Sequence, residues 1–286
     1  MLRNRRYIPS EGEMLYHYCS PDTFLALCNF KTLRFSDLFA MNDFMEVHWG
    51  YHVWETAAGE VIDSVGREIL DDIDKVIHEA GFQILPTAAC FSRSKDVLSQ
   101  WRAYGSDGKG YAVGFNANII SHMPVRALKV EYDFRTQVEE VKAFILAIHE
   151  VESEEVAPRG EEFFNSCALL ATDLASFKNP AFVEEDEVRL VHLLNFQRSN
   201  DSLKLVDHGG ISFGVDIPPQ QVRFRMNGST PVAYLDIGFA SDEPSRSIVE
   251  VVLGPKNDSI PMGISIFLET LSHAGVSVTK SRASYR

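Results

Sequence analysis

Four short segments of the chain place polar side chains inside or beside apolar, strand-like runs. A polar group in such a place costs free energy unless it is hydrogen-bonded or has a function. The segments contain His17, the pair Asn42-Asp43, Ser92, and the run from Glu185 to Arg189. Histidine, carboxylate and guanidinium groups can orient and polarise a substrate, so these segments are the candidates for chemistry.

The most informative segment has carboxylates and an arginine at every second position. Glu185, Glu187 and Arg189 follow one another at i, i+2, i+4 in a run that also contains Val183, Val188 and Leu190. On a strand, this spacing places all three polar side chains on one face. We expect Glu187 to pair with Arg189, which would lower the pKa of the carboxyl. The pair is either a salt bridge on the sheet surface or a carboxylate held ionised beside a cleft.

The other three segments each have a structural and a functional interpretation. His17 lies in the apolar run MLYHY and is either a hydrogen-bonded core histidine or a ligand contact. Asn42-Asp43 is typical of a turn but lies in an aromatic-rich segment. Ser92 ends the run TAACFS, and Trp101 and Tyr104 follow at the spacing of a short amphipathic helix.

Several familiar motifs are absent or incomplete. The glycines of GSDGKG at 105–110 lack the Ser or Thr that follows the lysine of a phosphate loop, and a strand follows instead of a helix. His48 and His52 are four residues apart but are not part of an HExxH motif, so we expect no metal site. No GxSxG motif supports a hydrolase serine.

The composition is that of an acidic globular protein. The 286 residues carry a formal net charge of -13, which disfavours non-specific binding to duplex nucleic acid and to anionic lipid. Two local basic groups remain, Arg3 with Arg5 and Arg6, and Arg223 with Arg225. The sequence contains no run of 18 apolar residues, so we predict no membrane span. The four cysteines form no CxxC pair and lie in apolar contexts, which predicts reduced thiols in a cytoplasmic protein.

Apolar periodicity and capping residues predict an α+β fold. Ser20 followed by Pro21 is typical of a helix start, so we expect a strand at 14–18, a helix at 21–29 and a strand at 32–36. Segment 37–54 is irregular and rich in aromatic residues, which predicts a packed loop with a helical turn. The further predicted strands are 87–92, 111–115, 125–132, 182–194, 211–217, 231–237, 247–253 and 276–281. The further predicted helices are 61–80, 95–104, 136–156, 160–177 and 261–274.

No linker or repeat divides the chain, so the prediction is one domain over 1–286. Within it we expect an N-terminal arm at 1–13. The helices at about 136–177 are predicted to form an insertion with an acidic outer face.

These segments together resemble a known family. The quoted runs are LYHYCSPDTFLAL, KTLRFSDLFAMNDFMEV, ACFSRSKDVLSQWRAYGSDGKGYAVGF and FKNPAFVEEDEVRLV, with VEVVLGP and SRASYR at the end. They look like the bacterial family known as domain of unknown function 2971. The resemblance runs in order over about 15–286.

A remoter resemblance suggests a biochemistry. A strand with a histidine, a short capped helix, the run TLR and a late strand glutamate are similar to the ADP-ribosyltransferase superfamily, especially its DNA-modifying toxin branch. The resemblance implies a split, curved, mainly antiparallel sheet whose cleft holds NAD as substrate. It also implies transfer of ADP-ribose to a nucleic acid or protein acceptor, in a toxin or phage-defence setting.

The same resemblance implies roles for residues of this chain. Glu187 would be the catalytic carboxylate, with Arg189 keeping it ionised. The implied NAD-binding residues are His17, Tyr18, Ser20, Arg34, Asn42, Ser92, Trp101 and Tyr104. With water as acceptor the enzyme would be an NAD glycohydrolase. A non-catalytic ligand-binding or regulatory module is the alternative, and the sequence does not predict the oligomeric state.

Overall fold

The computed structural model describes residues 2–40, 44–81, 83–155, 158–239 and 246–285. Its strands are β1 (Met14–Cys19), β2 (Thr32–Asp37), β3 (Ile84–Ser92), β4 (Tyr111–Asn116), β5 (Arg126–Lys129), β6 (Glu187–Arg198), β7 (Leu203–Val206), β8 (Gly210–Ser212), β9 (Val215–Ile217), β10 (Arg223–Asn227), β11 (Thr230–Gly238), β12 (Ile248–Leu253) and β13 (Ser277–Lys280). Its α-helices are α1 (Pro21–Phe30), α2 (Phe44–Val65), α3 (Arg67–Ala80), α4 (Leu98–Ala103), α5 (Ala117–Ser121), α6 (Phe134–Glu154), α7 (Glu161–Asp173) and α8 (Pro261–Thr270).

Eleven of these strands form one large, mainly antiparallel sheet. Its main path runs β10-β11-β2-β3-β1-β4-β12-β13, and β6 pairs with β3, β5 and β7. Only β12 and β13 pair in parallel in the part of the sheet that the structure describes. The mixed α/β architecture with helices against an open antiparallel sheet agrees with the predicted α+β class.

The sheet is split at β3. One edge of β3 pairs with β6 along its whole length, from Ile84 to Ser92. The other edge pairs with β2 only at Thr87 and Ala88, and with β1 only at Ser92. Between these two contacts, β1 and β2 separate and leave the edge of β3 unpaired with a strand over residues 89–91. The separation of β1 and β2 therefore opens a gap between the two halves of the sheet along this part of β3.

Among the described residues, two large clusters of buried hydrophobic residues, beside two smaller ones, form the interior. The first lies between one sheet face and the helices α1 and α8, with Leu15, Phe35, Phe91 and Leu268 almost fully enclosed. The second lies among α2, α3, α6 and α7 and includes Trp54, Ile73 and Ile145. The predicted insertion at 136–177 is thus part of a four-helix layer. In the arm, the Tyr7 amide donates to the Ala127 carbonyl at 2.9 Å, so the arm lies along β5.

Several predicted boundaries are wrong for local reasons. Segment 37–54 is not an irregular loop: helix α2 begins at Phe44, and its buried Val53, Trp54 and Ala57 form an apolar stripe with helical spacing. The helix predicted at 61–80 is interrupted at Gly66, whose φ of 83° belongs to the left-handed region.

Three predicted strands also need correction. The strand predicted at 211–217 is a hairpin of β8 and β9 that stands apart from the large sheet. The strand predicted at 125–132 is confined to β5, Arg126–Lys129. The start of the strand predicted at 182–194 is a 3-10 helix over Pro180–Glu185, and β6 begins only at Glu187. Strands β7 and β10 were not predicted.

Candidate functional site

The split in the sheet opens into a cavity of about 400 Å³, within the range of small-molecule sites. Its floor is formed by residues Ala88 to Phe91 of β3, beside the gap between β1 and β2. His17 of β1 lines it from one side of the split, and Arg34 and Ser36 of β2 line it from the other. Glu187 and Arg189 of β6 and Arg225 of β10 also line it, so five strands contribute to a single concavity.

His17 reaches across the split and hydrogen-bonds to β3. Its Nδ1 lies 2.9 Å from the Cys90 carbonyl oxygen, which can only accept, so Nδ1 carries the hydrogen. Burial lowers the pKa of His17 and outweighs the opposite effect of this hydrogen bond. We therefore expect a neutral imidazole whose Nε2 is an acceptor. His17 partly replaces the missing strand contact and still faces the cavity.

Four ionic side chains form a buried charge cluster in the cavity wall: Lys178, Glu185, Glu187 and Arg189. The Arg189 guanidinium grips Glu187 with two hydrogen bonds, Nε to Oε1 at 2.7 Å and Nη2 to Oε2 at 3.1 Å. The Lys178 ammonium donates to Glu187 Oε2 at 3.1 Å and also contacts Glu185 Oε2. Two cations thus compensate two carboxylates within a site shielded from water.

The cluster keeps Glu187 ionised. Burial on its own raises the pKa of this carboxyl, but the charges of Arg189 and Lys178 and their hydrogen bonds outweigh burial and hold the pKa well below its usual range. The predicted pairing of Glu187 with Arg189 is confirmed, as is the direction of the shift. The expectation that Glu185 shares a strand face with Glu187 is wrong, because Glu185 ends the 3-10 helix and Asp186 turns the chain at a φ of 43°.

The backbone around the cluster is held from several sides. The Tyr132 hydroxyl accepts a hydrogen bond from the Glu187 amide at 3.0 Å, and Arg189 Nη1 donates to the Ala175 carbonyl at 2.6 Å. The fully enclosed Gln137 of α6 donates to the Lys178 carbonyl at 2.9 Å. The helical layer therefore positions the charged side chains, and the cluster is a rigid group.

Cys90 lies in the cavity floor opposite Arg189 in the β3–β6 ladder. Burial raises the pKa of its thiol well above the ordinary value, and the charge of Glu187 raises it further. A thiol of this kind is not a thiolate nucleophile near neutral pH.

The other end of the cavity is basic and more exposed. Arg34 grips Asp236 with Nε to Oδ1 at 2.8 Å and Nη2 to Oδ2 at 3.0 Å, and its guanidinium lies 3.9 Å from the centre of the Tyr234 ring. Arg225 of β10 lines the same end. Tyr104, whose hydroxyl donates to Glu185 Oε1 at 3.4 Å, presents a partly exposed ring to the cavity.

Four predicted ligand contacts lie elsewhere or are already engaged. Tyr18 lines the cavity, but its hydroxyl donates to the Ser94 carbonyl at 2.9 Å and accepts from the Val97 amide at 3.0 Å. Ser20 caps α1 by accepting from the Thr23 amide at 3.1 Å, and it is not part of the cavity wall. Ser92 caps a turn by accepting from the Ser94 amide at 3.0 Å. Ser92 therefore does not join His17 and Glu187 at the cavity.

Trp101 is fully enclosed and donates to Asp96 Oδ1 at 2.7 Å, so it does not line the cavity either. Of the two aromatic residues Trp101 and Tyr104 among the implied NAD-binding residues, Tyr104 therefore lines the cavity and Trp101 does not. Asn42 lies outside the described residues. Lys178 and Arg225 line the cavity without having been predicted as ligand contacts. A lysine between Phe177 and Asn179-Pro180, in an otherwise apolar approach to a strand, was the available signal for Lys178.

The described residues contain neither a metal-binding group nor a membrane-spanning helix. Among these residues, no group of three or more His, Cys, Asp or Glu side chains is arranged to hold a metal ion. No helix in the described ranges is both long enough and apolar enough to cross a membrane.

Comparison with known proteins supports the first resemblance. Residues 100–190, about a third of the chain, match the model of a family described as "Protein of unknown function (DUF2971)". The matched segment includes Tyr104 and the whole buried charge cluster, but not His17 or Arg34. The comparisons with curated proteins and with solved structures found no match.

Proposed function

We propose that this protein is an NAD-dependent ADP-ribosyltransferase-like enzyme that cleaves the bond between nicotinamide and ribose. The proposal rests on one observation: His17 and Glu187 come from different strands, yet they line one cavity at the split of the sheet. The ADP-ribosyltransferase resemblance of the sequence implies this juxtaposition. The two residues are far apart in the chain, and β3 brings them together because it pairs with both β1 and β6.

The chemistry of the cavity suits the reaction. The carbon–nitrogen bond breaks with its electron pair moving to nicotinamide, and the ribose carbon develops oxocarbenium character. A carboxylate fixed in its ionised form stabilises that positive charge without having to reorganise. Glu187 is such a group, because Arg189 and Lys178 hold it ionised. The acceptor then bonds to the ribose carbon and releases a proton.

The two ends of the cavity suit two neighbouring parts of a dinucleotide, the diphosphate and the ribosyl nicotinamide. Arg34 and Arg225 form the basic end, where guanidinium groups would bind the diphosphate. Tyr104 and the Nε2 of His17 lie toward the buried charge cluster, where a ring and an acceptor would orient ribosyl nicotinamide. A nucleic acid or protein side chain as acceptor gives a transferase, and water gives an NAD glycohydrolase.

One observation favours a second candidate, a non-catalytic ligand-binding module. Both oxygens of Glu187 already accept hydrogen bonds from Arg189, and one also accepts from Lys178. A carboxylate bound in this way would serve as part of a structural cluster beneath a ligand site. The two candidates share NAD binding and differ in nicotinamide release.

The deciding experiment measures free nicotinamide from NAD, with and without nucleic acid or cell lysate as a source of acceptors. We expect release by the unchanged protein and a loss of about a hundred- to a thousandfold in Glu187→Gln, typical of removing one preorganised electrostatic group. Glu150→Gln, an exposed change on α6, is the matched control and should keep full activity.

Calorimetry with NAD separates the remaining outcomes. Binding without nicotinamide release would favour the module. Neither binding nor release would contradict both candidates. Full activity in a folded Glu187→Gln protein would contradict the role assigned to that carboxylate.

A further inference from the structure

Strand β10 is an open edge of the large sheet. Within the described residues it pairs with β11 alone, and no hydrogen bond joins its outer backbone groups to another element. All five of its residues, Arg223–Asn227, are exposed. An edge of this kind offers a row of unpaired N–H and C=O groups to an incoming strand.

The two faces of β10 differ in character. Arg223 lies opposite Tyr234, which in turn lies opposite Ser36, so Arg223 and Arg225 are on the face that carries the cavity. Phe224 and Met226 are on the other face and are 61% and 63% exposed. Proteins usually protect an open strand edge from aggregation with charged residues, proline or bulges. Two large apolar side chains at such an edge are instead typical of a surface that binds a partner.

We propose that β10 binds an extended protein segment of alternating acidic and apolar residues by strand addition, and so presents it to the cavity. Its acidic side chains would lie beside Arg223 and Arg225, and its apolar ones beside Phe224 and Met226. Arg225 also lines the cavity, so a segment bound here lies at the cavity mouth. The role of this segment as the ADP-ribose acceptor rests on the proposed function, whereas its binding to β10 does not.

The pattern on β10 favours such a segment over two other occupants. A second copy of the chain pairing through the same edge would place arginine beside arginine, and like charges opposite each other destabilise a strand pair. A single strand of nucleic acid would need charge and an aromatic surface on the same side. Here Phe224 is on the face opposite the arginines, and the ring of Tyr234 on the arginine face is already covered by the Arg34 guanidinium at 3.9 Å.

The test uses the full-length protein and a fluorescently labelled peptide of alternating glutamate and valine. We expect saturable binding by anisotropy and slower hydrogen exchange in the amides of residues 223–227, which strand addition protects and loose charge attraction does not. Arg223→Glu should weaken binding by about three- to tenfold, the size of a cross-strand charge effect. Lys280→Glu, on exposed edge strand β13, is the matched control and should bind normally.

A second variant, Phe224→Thr, trims the apolar face while keeping a residue that favours strands, and should also weaken binding. Glu187→Gln should bind the peptide normally, so a failure of the proposed catalysis would leave this measurement intact. The proposal is overturned if the peptide does not bind, or if a peptide with proline in place of valine binds equally well. Equal losses in Arg223→Glu and Lys280→Glu, or tighter binding of an oligothymidylate that depends on Arg223, would also overturn it.

Discussion

Two arginines that line the same cavity, Arg189 and Arg34, each pair with a carboxylate in almost the same geometry but in different surroundings. The Arg189–Glu187 pair, with its 2.7 Å contact, is only 2% and 6% exposed at the two side chains. The Arg34–Asp236 pair, with a 2.8 Å contact, is 45% and 20% exposed. Since Coulomb interactions and desolvation both grow as water is excluded, the two pairs differ in energetics far more than in distances.

The two pairs differ in how firmly the charged group that faces the cavity is held: Glu187 is fixed, whereas Arg34 can exchange its partner. Glu187 is held by Arg189 and Lys178, and its strand is anchored to Tyr132. A carboxylate in that setting keeps its charge and position. Arg34 is bound to Asp236 near water, where an ion pair contributes little, so an anionic ligand can replace the aspartate at small cost. The buried pair thus suits electrostatic stabilisation, and the exposed pair suits reversible binding.

The largest effect is expected from breaking the buried pair. Glu187→Gln leaves Arg189 without its charged partner, and loss of one member of a buried pair typically costs about 3–5 kcal/mol. The small change expected for a strand pair open to water, below about 1 kcal/mol, does not apply here because Glu187 is buried. Urea unfolding at pH 7 measures the difference.

Glu184→Gln, one residue before the cluster and exposed, is the matched control and should change the free energy of unfolding by less than about 0.5 kcal/mol. A loss below about 1 kcal/mol in Glu187→Gln would mean that water reaches the cluster, and the contrast between the two pairs would disappear.

The free energy of unfolding should fall in two separate ranges as the pH is lowered. The pKa of Glu187 is held below its ordinary value of 4.5, so its contribution to stability is present above about pH 4.5 and is lost as the pH falls below it. The pKa of His17 is lowered from 6.5, so its contribution is lost over a higher range, starting below about pH 6.5. Unfolding free energies measured from pH 7 to pH 3 should therefore fall in both ranges.

Glu187→Gln should flatten only the part of this profile below pH 4.5, and His17→Gln only the upper part. An unchanged slope below pH 4.5 in Glu187→Gln would show that the carboxyl titrates normally in the folded protein, against the geometry of the cluster.

The smallest effect on stability is expected at the exposed pair. Arg34→Gln should change the free energy of unfolding by less than about 1 kcal/mol, because exposed pairs contribute little. The same change should weaken NAD binding by about tenfold, the loss of a hydrogen bond to a charged group. Arg135→Gln, which breaks exposed pairs with Glu60 and Glu139 on the helical layer, should leave affinity unchanged. Equal affinity in both variants would remove Arg34 from the ligand site.

Much of the fold follows from local patterns. The compact apolar run before Ser20-Pro21 correctly predicted β1, and Ser20-Pro21 predicted the start of α1, because short apolar runs and helix caps are local properties. The prediction of a loop at the start of α2 is wrong because the packing of this helix depends on distant segments. Helix α2 packs against α6 and the 3-10 helix that follows α7, and local spacing does not show these contacts. Strand β10 is exposed on both faces, so burial left no signal in its sequence.

The sequence by itself indicated that Glu187 and Arg189 share a strand face and can pair, because residues two apart on a strand share a face whatever the strand packs against. It also determined that Ser20 caps a helix. Only the tertiary structure decided that β1 and β2 separate along β3, which brings His17 and Glu187 to one cavity and leaves Ser92 and Trp101 out of it. It alone placed Lys178 between two carboxylates and buried the cluster. The physical reason is that strand neighbours and burial depend on contacts between distant parts of the chain, which no local spacing encodes.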